Sequence, residues 1–275
     1  MTAKSPPMTV LDPHTHRPVL EAEALRDAMA LSVWAGQMLL QHGADTQRVE
    51  KTIHHIGTGL GADWMDILVT PDSIVASTIN NNEFRTKVRR APTRGVNLAV
   101  IDAINRASHD VTDGIIDRHG LRQQLREIDI MPAEYNRWLV VLGVGLACAS
   151  ISRFFGGDAI AFLITFVAAT LGIITRQELA KRHFNLIVMT IATAFVAASV
   201  SALAARLGIG STPAAAISGS IILLVPGVPL INAAKDLISG YLLNGIARGV
   251  QGFIIVLGIA VGLTLAIWVM GVSLA

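Results

Sequence analysis

Polar and charged side chains interrupt an apolar stretch between residues 221 and 249, and they are the strongest candidates for chemistry in this chain. The stretch contains Pro226-Gly227-Val228-Pro229, and two prolines and a glycine within four residues cannot continue a regular helix. We therefore predict that the helix breaks there and restarts behind the break. The candidate substrate pathway comprises Pro226, Gly227, Pro229, Asn232, Lys235, Asp236, Asn244 and Arg248.

The spacing of these polar residues predicts one shared helix face. Steps of four residues advance about 40° round a helix, so Asn232, Asp236 and Asn244 lie on one side and Arg248 lies towards its edge. Polar groups at membrane depth are costly and usually belong to a pathway or a binding site. Broken helices of this kind recur in secondary transporters. The pattern therefore favours transport.

A mechanism follows if the restarted helix presents its first free N–H groups to a substrate carboxylate. Asn232 would then hydrogen-bond the substrate. Asp236 would either couple protons or form an ion pair that positions Lys235 or Arg248. The alternative is that the break is a loop at the membrane edge and that Asp236 pairs with a cation for stability.

The elements that must position these residues follow a sharp step in composition. Residues 1–137 hold 15 Lys and Arg and 17 Asp and Glu, whereas residues 138–275 hold 7 and 3. The first part is typical of a water-soluble domain and the second of a membrane domain. A net charge of +2 gives no indication of nucleic-acid binding.

We predict an α-helical integral membrane protein with an N-terminal cytoplasmic α+β domain. Residues 1–18 would be a disordered tail, residues 19–137 the cytoplasmic domain and residues 138–275 the transmembrane domain. Five apolar stretches have about the length that a helix needs to span a bilayer: 138–155, 159–175, 186–205, 213–231 and 250–272.

In the soluble part, a helix over 21–42 ends at Gly43, and Asp45 suits the N-cap of a second helix. Strand patterns follow at 64–70, 73–79 and 84–90, with Asn80-Asn81-Asn82 as a turn. Two further helices are predicted over 97–110 and 114–128. Their apolar stripes would be Leu98, Ile101 and Ile104, and Ile115, Leu121 and Leu125.

The third strand alternates between two faces. One carries Phe84, Thr86 and Val88, and the other carries Arg85, Lys87 and Arg89. The cationic row could attract an anionic substrate or lipid headgroups, but we expect it to be the solvated face of the sheet.

Enzyme and metal signatures are not found in the sequence. It has no HExxH or CxxC metal motif, no GxSxG nucleophile turn and no GxxxxGK[ST] phosphate loop. We therefore expect no metal, no cofactor and no enzymatic activity.

Loop charges predict the orientation. Arg176, Lys181 and Arg182 crowd the second loop, and Lys235 and Arg248 the fourth. By the positive-inside rule these loops and the soluble domain are cytoplasmic, and the C-terminus is outside. The N-terminus also lacks an apolar signal region. The prediction is a multi-pass protein of the cell inner membrane.

Four segments carry a resemblance to a known family: HGADTQRVE (42–50), VTPDSI (69–74), RGVNLAVIDAINRAS (94–108) and PGVPLINAAKDLISG (226–240), with Arg248 downstream. In this order they resemble the threonine/serine exporter family, and specifically its short, split form. The matched motif positions in the cytoplasmic domain are His42, Gly43, Asp45, Arg48, Glu50, Thr70, Pro71, Arg94, Asn97 and Asn105.

The resemblance implies one subunit of a secondary exporter that works with a second small membrane subunit. Split relatives are associated with succinate and fused relatives with threonine and serine. A small carboxylate, succinate first, is therefore the expected substrate, with threonine or serine as the alternative. A membrane-anchored hydrolase and a ligand sensor are the other functions that the composition allows.

Overall fold

The structure is a computed structural model, and it describes residues 22–62, 64–80, 83–131 and 135–272. The predicted tail over 1–18 and the centre of the predicted turn at 81 and 82 lie outside the described residues. Residue contacts divide the chain into two units, Met1–Pro132 with Val228–Arg248, and Ala133–Gly227 with Gly249–Ala275. Residues 228–248, which composition groups with the membrane half, thus belong to the N-terminal unit, because their polar side chains have partners there.

The first unit begins with two helices, α1 (Ala22–Gln41) and α2 (Thr46–Gly59). Gly43 adopts a left-handed φ of 86° in the turn between them, a conformation that glycine takes without steric cost. The Asp45 side chain accepts a hydrogen bond from the backbone N–H of Arg48 and caps α2. Both predicted roles in this turn are confirmed.

Three antiparallel strands follow, β1 (Trp64–Val69), β2 (Ser73–Asn80) and β3 (Glu83–Arg90), in the order β1-β2-β3. In the register of β2 and β3, Ile74, Ala76 and Thr78 lie opposite the cationic row, Arg89, Lys87 and Arg85. Directly paired residues share a face of the sheet, and these β2 side chains are buried. The cationic row therefore lies on the core side of the sheet, where α1 packs.

The expectation of a solvated cationic face is thus wrong. The opposite face is the open one, and its large apolar side chains Trp64, Leu68, Phe84 and Val88 are all more than half exposed. Long cationic side chains can cover an apolar core with their methylene stems while the charged ends reach water, which explains how a cationic row can lie on the packed face.

Helices α3 (Leu98–Thr112) and α4 (Arg118–Asp129) follow the sheet in this unit. Its core includes the fully buried Leu39, Ile53, Ile74, Ile104 and Leu125. The predicted stripes are confirmed at Ile101, Ile104, Leu121 and Leu125 but are wrong at two positions. Leu98 is exposed in the first turn of α3, and Ile115 is exposed because it lies in the loop before α4.

The second unit contains α5 (Arg137–Phe154), α6 (Ala159–Lys181), α7 (Leu186–Arg206) and α8 (Pro213–Ile221), followed by a 3₁₀ turn over Ile222–Leu224. After the break come α9 (Gly227–Ile238) and α10 (Leu242–Met270). Within the described residues, α5, α6, α7 and α10 are long and apolar enough to span a membrane, and the broken pair Pro213–Leu224 and Gly227–Ile238 would make a fifth span.

Small residues allow close packing inside the second unit. A Cβ added to Gly262 of α10 would lie 2.5 Å from the backbone oxygen of Ile191 in α7. That distance leaves no room for a side chain. Gly262 therefore packs against α7 within this chain.

Candidate functional site

The helix break lies where the sequence predicts it. The 3₁₀ turn ends at Leu224, Val225 has an extended conformation (φ −58°, ψ 123°), and α9 begins at Gly227. Pro229 falls in the first turn of α9, where a missing N–H costs nothing because no intrahelical partner is available. The break therefore sets the start of the helix that carries most of the candidate residues.

Asp236 of α9 is the most heavily bonded of these residues. Its carboxylate accepts hydrogen bonds from the backbone N–H and the hydroxyl of Thr46, both at 3.0 Å, and lies 3.1 Å from Nη1 of Arg248. Its side chain is only 1% exposed and that of Arg248 only 11%. The site is therefore a buried ion pair with additional hydrogen bonds, the condition under which a buried charge is tolerated.

Two side chains at the start of α10 extend the same contact. Asn244 donates to the Thr46 hydroxyl and to the backbone oxygen of Val69, both at 2.9 Å, and it is buried. Arg248 donates to the backbone oxygen of Ala44 at 2.9 Å. Helices α9 and α10 thus both bind the turn between α1 and α2.

Asn232 and Lys235 of α9 each bond one residue of the same turn. Asn232 donates to the backbone oxygen of Gly43 at 2.7 Å, and the Lys235 ammonium lies 3.2 Å from Asp45. Farther along, the Tyr241 hydroxyl donates to Glu50 at 2.6 Å. We call the bonded set of Gly43, Ala44, Thr46, Asn232, Asp236, Asn244 and Arg248 the α9 cluster.

The α9 cluster joins two segments that the sequence treats separately, the 42–50 segment and the polar face behind the break. Asn232 and Asp236 share one face of α9, as predicted, but the prediction is wrong for Asn244, which lies on α10 because α9 ends at Ile238 and Gly240 adopts a left-handed φ of 87°. All three side chains still bond residues of the α1–α2 turn or the start of α2. Of the two ion pairs proposed for Asp236, the structure contains the one with Arg248, while Lys235 pairs with Asp45.

Beside this cluster a polar pocket of about 330 Å³ lies within the first unit. Helix α2 contributes Gln47, Arg48, Lys51, Thr52 and His55 to its wall, and α3 contributes Asn105, Ser108 and His109. Asp45 and Lys235 complete the lining. We call this cavity the α2–α3 pocket.

Charge in the α2–α3 pocket is unevenly exposed. Asp45 is 11% exposed at its side chain, whereas Arg48 and Lys235 are 47% and 54% exposed. Burial raises the pKa of Asp45, but the hydrogen bond from the N–H of Arg48 and the charge of Lys235 outweigh burial and lower that pKa. The Asp45 carboxylate is therefore ionised at neutral pH.

Several predicted motif residues have structural partners away from the pocket. Thr70 bonds the backbone and the hydroxyl of Ser73 in the turn between β1 and β2, next to Pro71. Arg94 forms an ion pair with Asp129 at 3.0 Å. The arrangement stabilises turns and does not bring these residues to the pocket.

Two further motif residues fix helix ends. Asn97 caps α3 by accepting hydrogen bonds from the N–H groups of Ala99 and Val100. His42 lies in the α1–α2 turn, with Nδ1 2.8 Å from the backbone oxygen of Met38. Of the ten motif residues, Asp45, Arg48 and Asn105 line the pocket, and Gly43 belongs to the α9 cluster.

Sequence reasoning missed Thr46, Tyr241 and most of the pocket wall. A signal for the wall was present, because Arg48, Lys51, Thr52 and His55 recur at steps of three and four residues on one face of α2. Asn105, Ser108 and His109 do the same on α3. Among the described residues no group of three or more His, Cys, Asp or Glu side chains is placed to hold a metal ion.

The chain matches the family model described as "Putative threonine/serine exporter" over residues 30–270. It is 33% identical over 253 residues to a protein of Escherichia coli (strain K12) named "Probable succinate transporter subunit YjjP", covering 92% of this chain and 98% of that protein. No solved structure matches the chain at a significant level.

Longer relatives match over a smaller part of their length. The chain is 24% identical over 246 residues to the "Probable threonine/serine exporter" of Mycobacterium tuberculosis (strain ATCC 25618 / H37Rv), covering 88% of this chain and 46% of that protein. It is 23% identical to the "Threonine/serine exporter" of Corynebacterium glutamicum, covering 87% of this chain and 50% of that protein.

Proposed function

The chain belongs to the threonine/serine exporter family, and we propose that it is one subunit of a secondary exporter of small carboxylates, with succinate as the substrate. The family consists of membrane exporters, and the chain is a multi-pass membrane protein. We propose no enzymatic activity and no cofactor. A second small membrane subunit would complete the transport pathway.

One observation carries this proposal. The match covers 98% of the length of a relative whose name is that of a succinate transporter subunit, but only 46% and 50% of two relatives named threonine/serine exporters. The printed name of the first relative describes it as a subunit, and a subunit works with a further polypeptide. The coverage therefore supports the succinate branch of the family, and the name of that relative supports a partner.

We propose that the protein lies in the cell inner membrane with the α1–α4 region in the cytoplasm and the C-terminus outside. The cations at the end of α6, Arg176, Lys181 and Arg182, support this orientation through the positive-inside rule. A periplasmic reporter fused after Ala275 should be active, and a cytoplasmic reporter there should be inactive. The reverse result would contradict the orientation.

The transport mechanism that we propose begins at the helix break. The free N–H groups in the first turn of α9 would seat a substrate carboxylate, and Asn232 would exchange its bond to Gly43 for one to the substrate. An inside-negative potential favours export of a dianion by about 4.6 kcal/mol at 100 mV, since each charge contributes about 2.3 kcal/mol. Export then needs no ATP.

Reconstitution tests the function directly. Liposomes with this chain and a candidate second subunit should release labelled succinate, and liposomes with either protein alone should release little. Full succinate efflux from this chain alone would contradict the two-subunit proposal. Liposomes loaded with labelled threonine or serine test the alternative substrate that the names of the longer relatives suggest. Faster efflux of either amino acid than of succinate would make that amino acid the substrate.

Variants test the mechanism in the same assay. Asn232→Ala and Asp236→Asn, in protein that reaches the membrane at normal levels, should each abolish most succinate efflux. Near-normal efflux from both variants would eliminate the role that we assign to the α9 face. The matched control is Asn185→Ala, which removes an amide at the start of α7 in the second unit, and it should export normally.

A further inference from the structure

We infer that the α2–α3 pocket is a binding site for a small dicarboxylate, and that Lys235 connects its occupancy to α9. The inference rests on the proposed function, because it names the class of substrate that the exporter carries. It also names a site on the first unit that binds this substrate. Among the described residues that line the pocket, Lys235 is the one that also belongs to the candidate substrate pathway. The pocket would bind the substrate before transport.

The charge of the wall fits a dianion. Arg48, Lys51 and Lys235 are cationic, and Asp45 is the one carboxylate among the described residues that line the pocket. With neutral histidines the wall therefore has a net charge of +2. Because Asp45 is buried while Arg48 and Lys235 are about half exposed, the exposed surface is more cationic than this net charge indicates.

The two helices offer two kinds of donor. Arg48 and Lys51 on α2 provide charge-assisted hydrogen bonds, which are the stronger class. Asn105, Ser108 and His109 on α3 provide an amide, a hydroxyl and an imidazole. A ligand with a carboxylate at each end satisfies both walls, whereas a ligand with one anionic group satisfies one of them.

Other ligand classes fit less well. Ligand pockets are mostly apolar, but no apolar side chain occurs among the described residues that line this one, so an apolar molecule would gain little. An amino acid brings an ammonium group that needs a carboxylate. Asp45 is the available carboxylate, and it is already bonded by the N–H of Arg48 and by Lys235. The pocket therefore favours a dicarboxylate over threonine or serine.

Lys235 gives the pocket a connection to α9. It lines the pocket and bonds Asp45, while the next residue, Asp236, bonds Thr46 at the start of α2. A dicarboxylate that draws the Lys235 ammonium away from Asp45 alters the contact between α9 and the α1–α2 turn. Binding of a dicarboxylate in the pocket would thus weaken or strengthen the hydrogen bonds of the α9 cluster.

Direct binding to the purified full-length protein in detergent tests this inference. Calorimetric titration with succinate should give a dissociation constant that rises about tenfold or more in the double variant Arg48→Gln/Lys51→Gln, because charge-assisted hydrogen bonds are lost. The matched control Arg106→Gln removes an exposed cation on α3 that pairs with Asp102 outside the pocket. It should bind succinate as the wild type does.

Titrations with inorganic phosphate and with threonine separate the ligand classes. Both should bind at least about tenfold more weakly than succinate, since each offers a single anionic group to two walls. Equal or tighter binding of phosphate or threonine would overturn the dicarboxylate assignment. Unchanged succinate affinity in the double variant would overturn the location.

The binding experiment and the export experiment can contradict the two proposals independently. If the two-subunit exporter releases succinate but the isolated chain does not bind it, the pocket inference is overturned and the proposed function stands. If the double variant loses binding while the wild-type complex exports no carboxylate, the pocket is supported and the exporter proposal fails. Lys235→Gln should lower succinate affinity as well, and normal affinity in this variant would remove the connection to α9.

Discussion

The α9 cluster and the α2–α3 pocket are neighbouring polar regions of one unit, but their side chains differ in how completely they are bonded. In the cluster, Asp236 is 1% exposed and accepts from Thr46 beside Arg248. In the pocket, Arg48 and Lys235 remain about half exposed. The comparison shows that polar residues behind a helix break can be held by buried bonds to the α1–α2 turn, whereas the cations beside them stay half exposed.

The largest effect should come from breaking the buried ion pair. Asp236→Asn leaves Arg248 buried without a counter-charge, so we expect the free energy of unfolding to fall by about 3–5 kcal/mol. Chemical unfolding of the purified protein in detergent measures this. The double variant Asp236→Leu/Arg248→Met should lose less than the single variant, because it leaves no uncompensated charge.

A different result for Asp236→Asn would break the comparison. If this variant unfolds like the wild type but exports no succinate, then the Asp236 carboxylate acts in transport, as proposed above, and does not stabilise the contact of α9 with the α1–α2 turn. If stability and export fall together, and the double variant recovers stability, then the ion pair supports the contact of α9 with the α1–α2 turn.

Local sequence signals predicted most of the parts of this contact between α9 and the α1–α2 turn. The Asp45 cap, Gly43, the break at Pro226-Gly227 and the common face of Asn232 and Asp236 all depend on residues within a turn or two of each other, and all appear in the structure. Local rules of capping, backbone freedom and helical period therefore suffice for them.

The partners could not be predicted in this way. Asp236 and Thr46 are 190 positions apart, and helical periodicity says which residues share a face but not what the face meets. The sheet teaches the same lesson. Alternation assigned Lys87 and Phe84 to opposite faces correctly, but which face packs against α1 depends on tertiary contacts.

Asn244→Ala should have the next largest effect. Asn244 is buried and donates to both the Thr46 hydroxyl and the backbone oxygen of Val69. Its loss leaves buried acceptors unpaired, which costs about 1–3 kcal/mol of unfolding free energy. The exposed control Gln123→Ala should stay within about 0.5 kcal/mol of the wild type. Equal stability of the two variants would mean that the hydrogen bonds of Asn244 contribute nothing to the free energy of unfolding.

Asn97→Ala separates stability from ligand binding. Asn97 caps α3, the helix that carries Asn105 and His109, but it does not line the pocket. We expect a loss of about 0.5–2 kcal/mol from the missing cap, with the dissociation constant for succinate unchanged in calorimetry. A loss of succinate affinity as large as that of Arg48→Gln/Lys51→Gln would show that the binding assay reports destabilisation.

The smallest effect is the pH dependence of Asp45, the residue that belongs to both the α2 cap and the pocket. Burial raises its pKa, but the N–H of Arg48 and the charge of Lys235 lower it below the ordinary value of 3.8. A lowered pKa in the folded state means that ionised Asp45 contributes stability above 3.8, and that this contribution is lost as the pH falls through the folded value. The difference in unfolding free energy between the wild type and Asp45→Asn should therefore be constant at neutral pH and shrink below about pH 4. Gln123→Ala, which removes no titrating group, should show a constant difference from the wild type over the whole pH range.

A difference for Asp45→Asn that also stays constant below pH 4 would mean that Arg48 and Lys235 do not stabilise the ionised Asp45 carboxylate. The cations of the pocket would then have no ionic contact with Asp45.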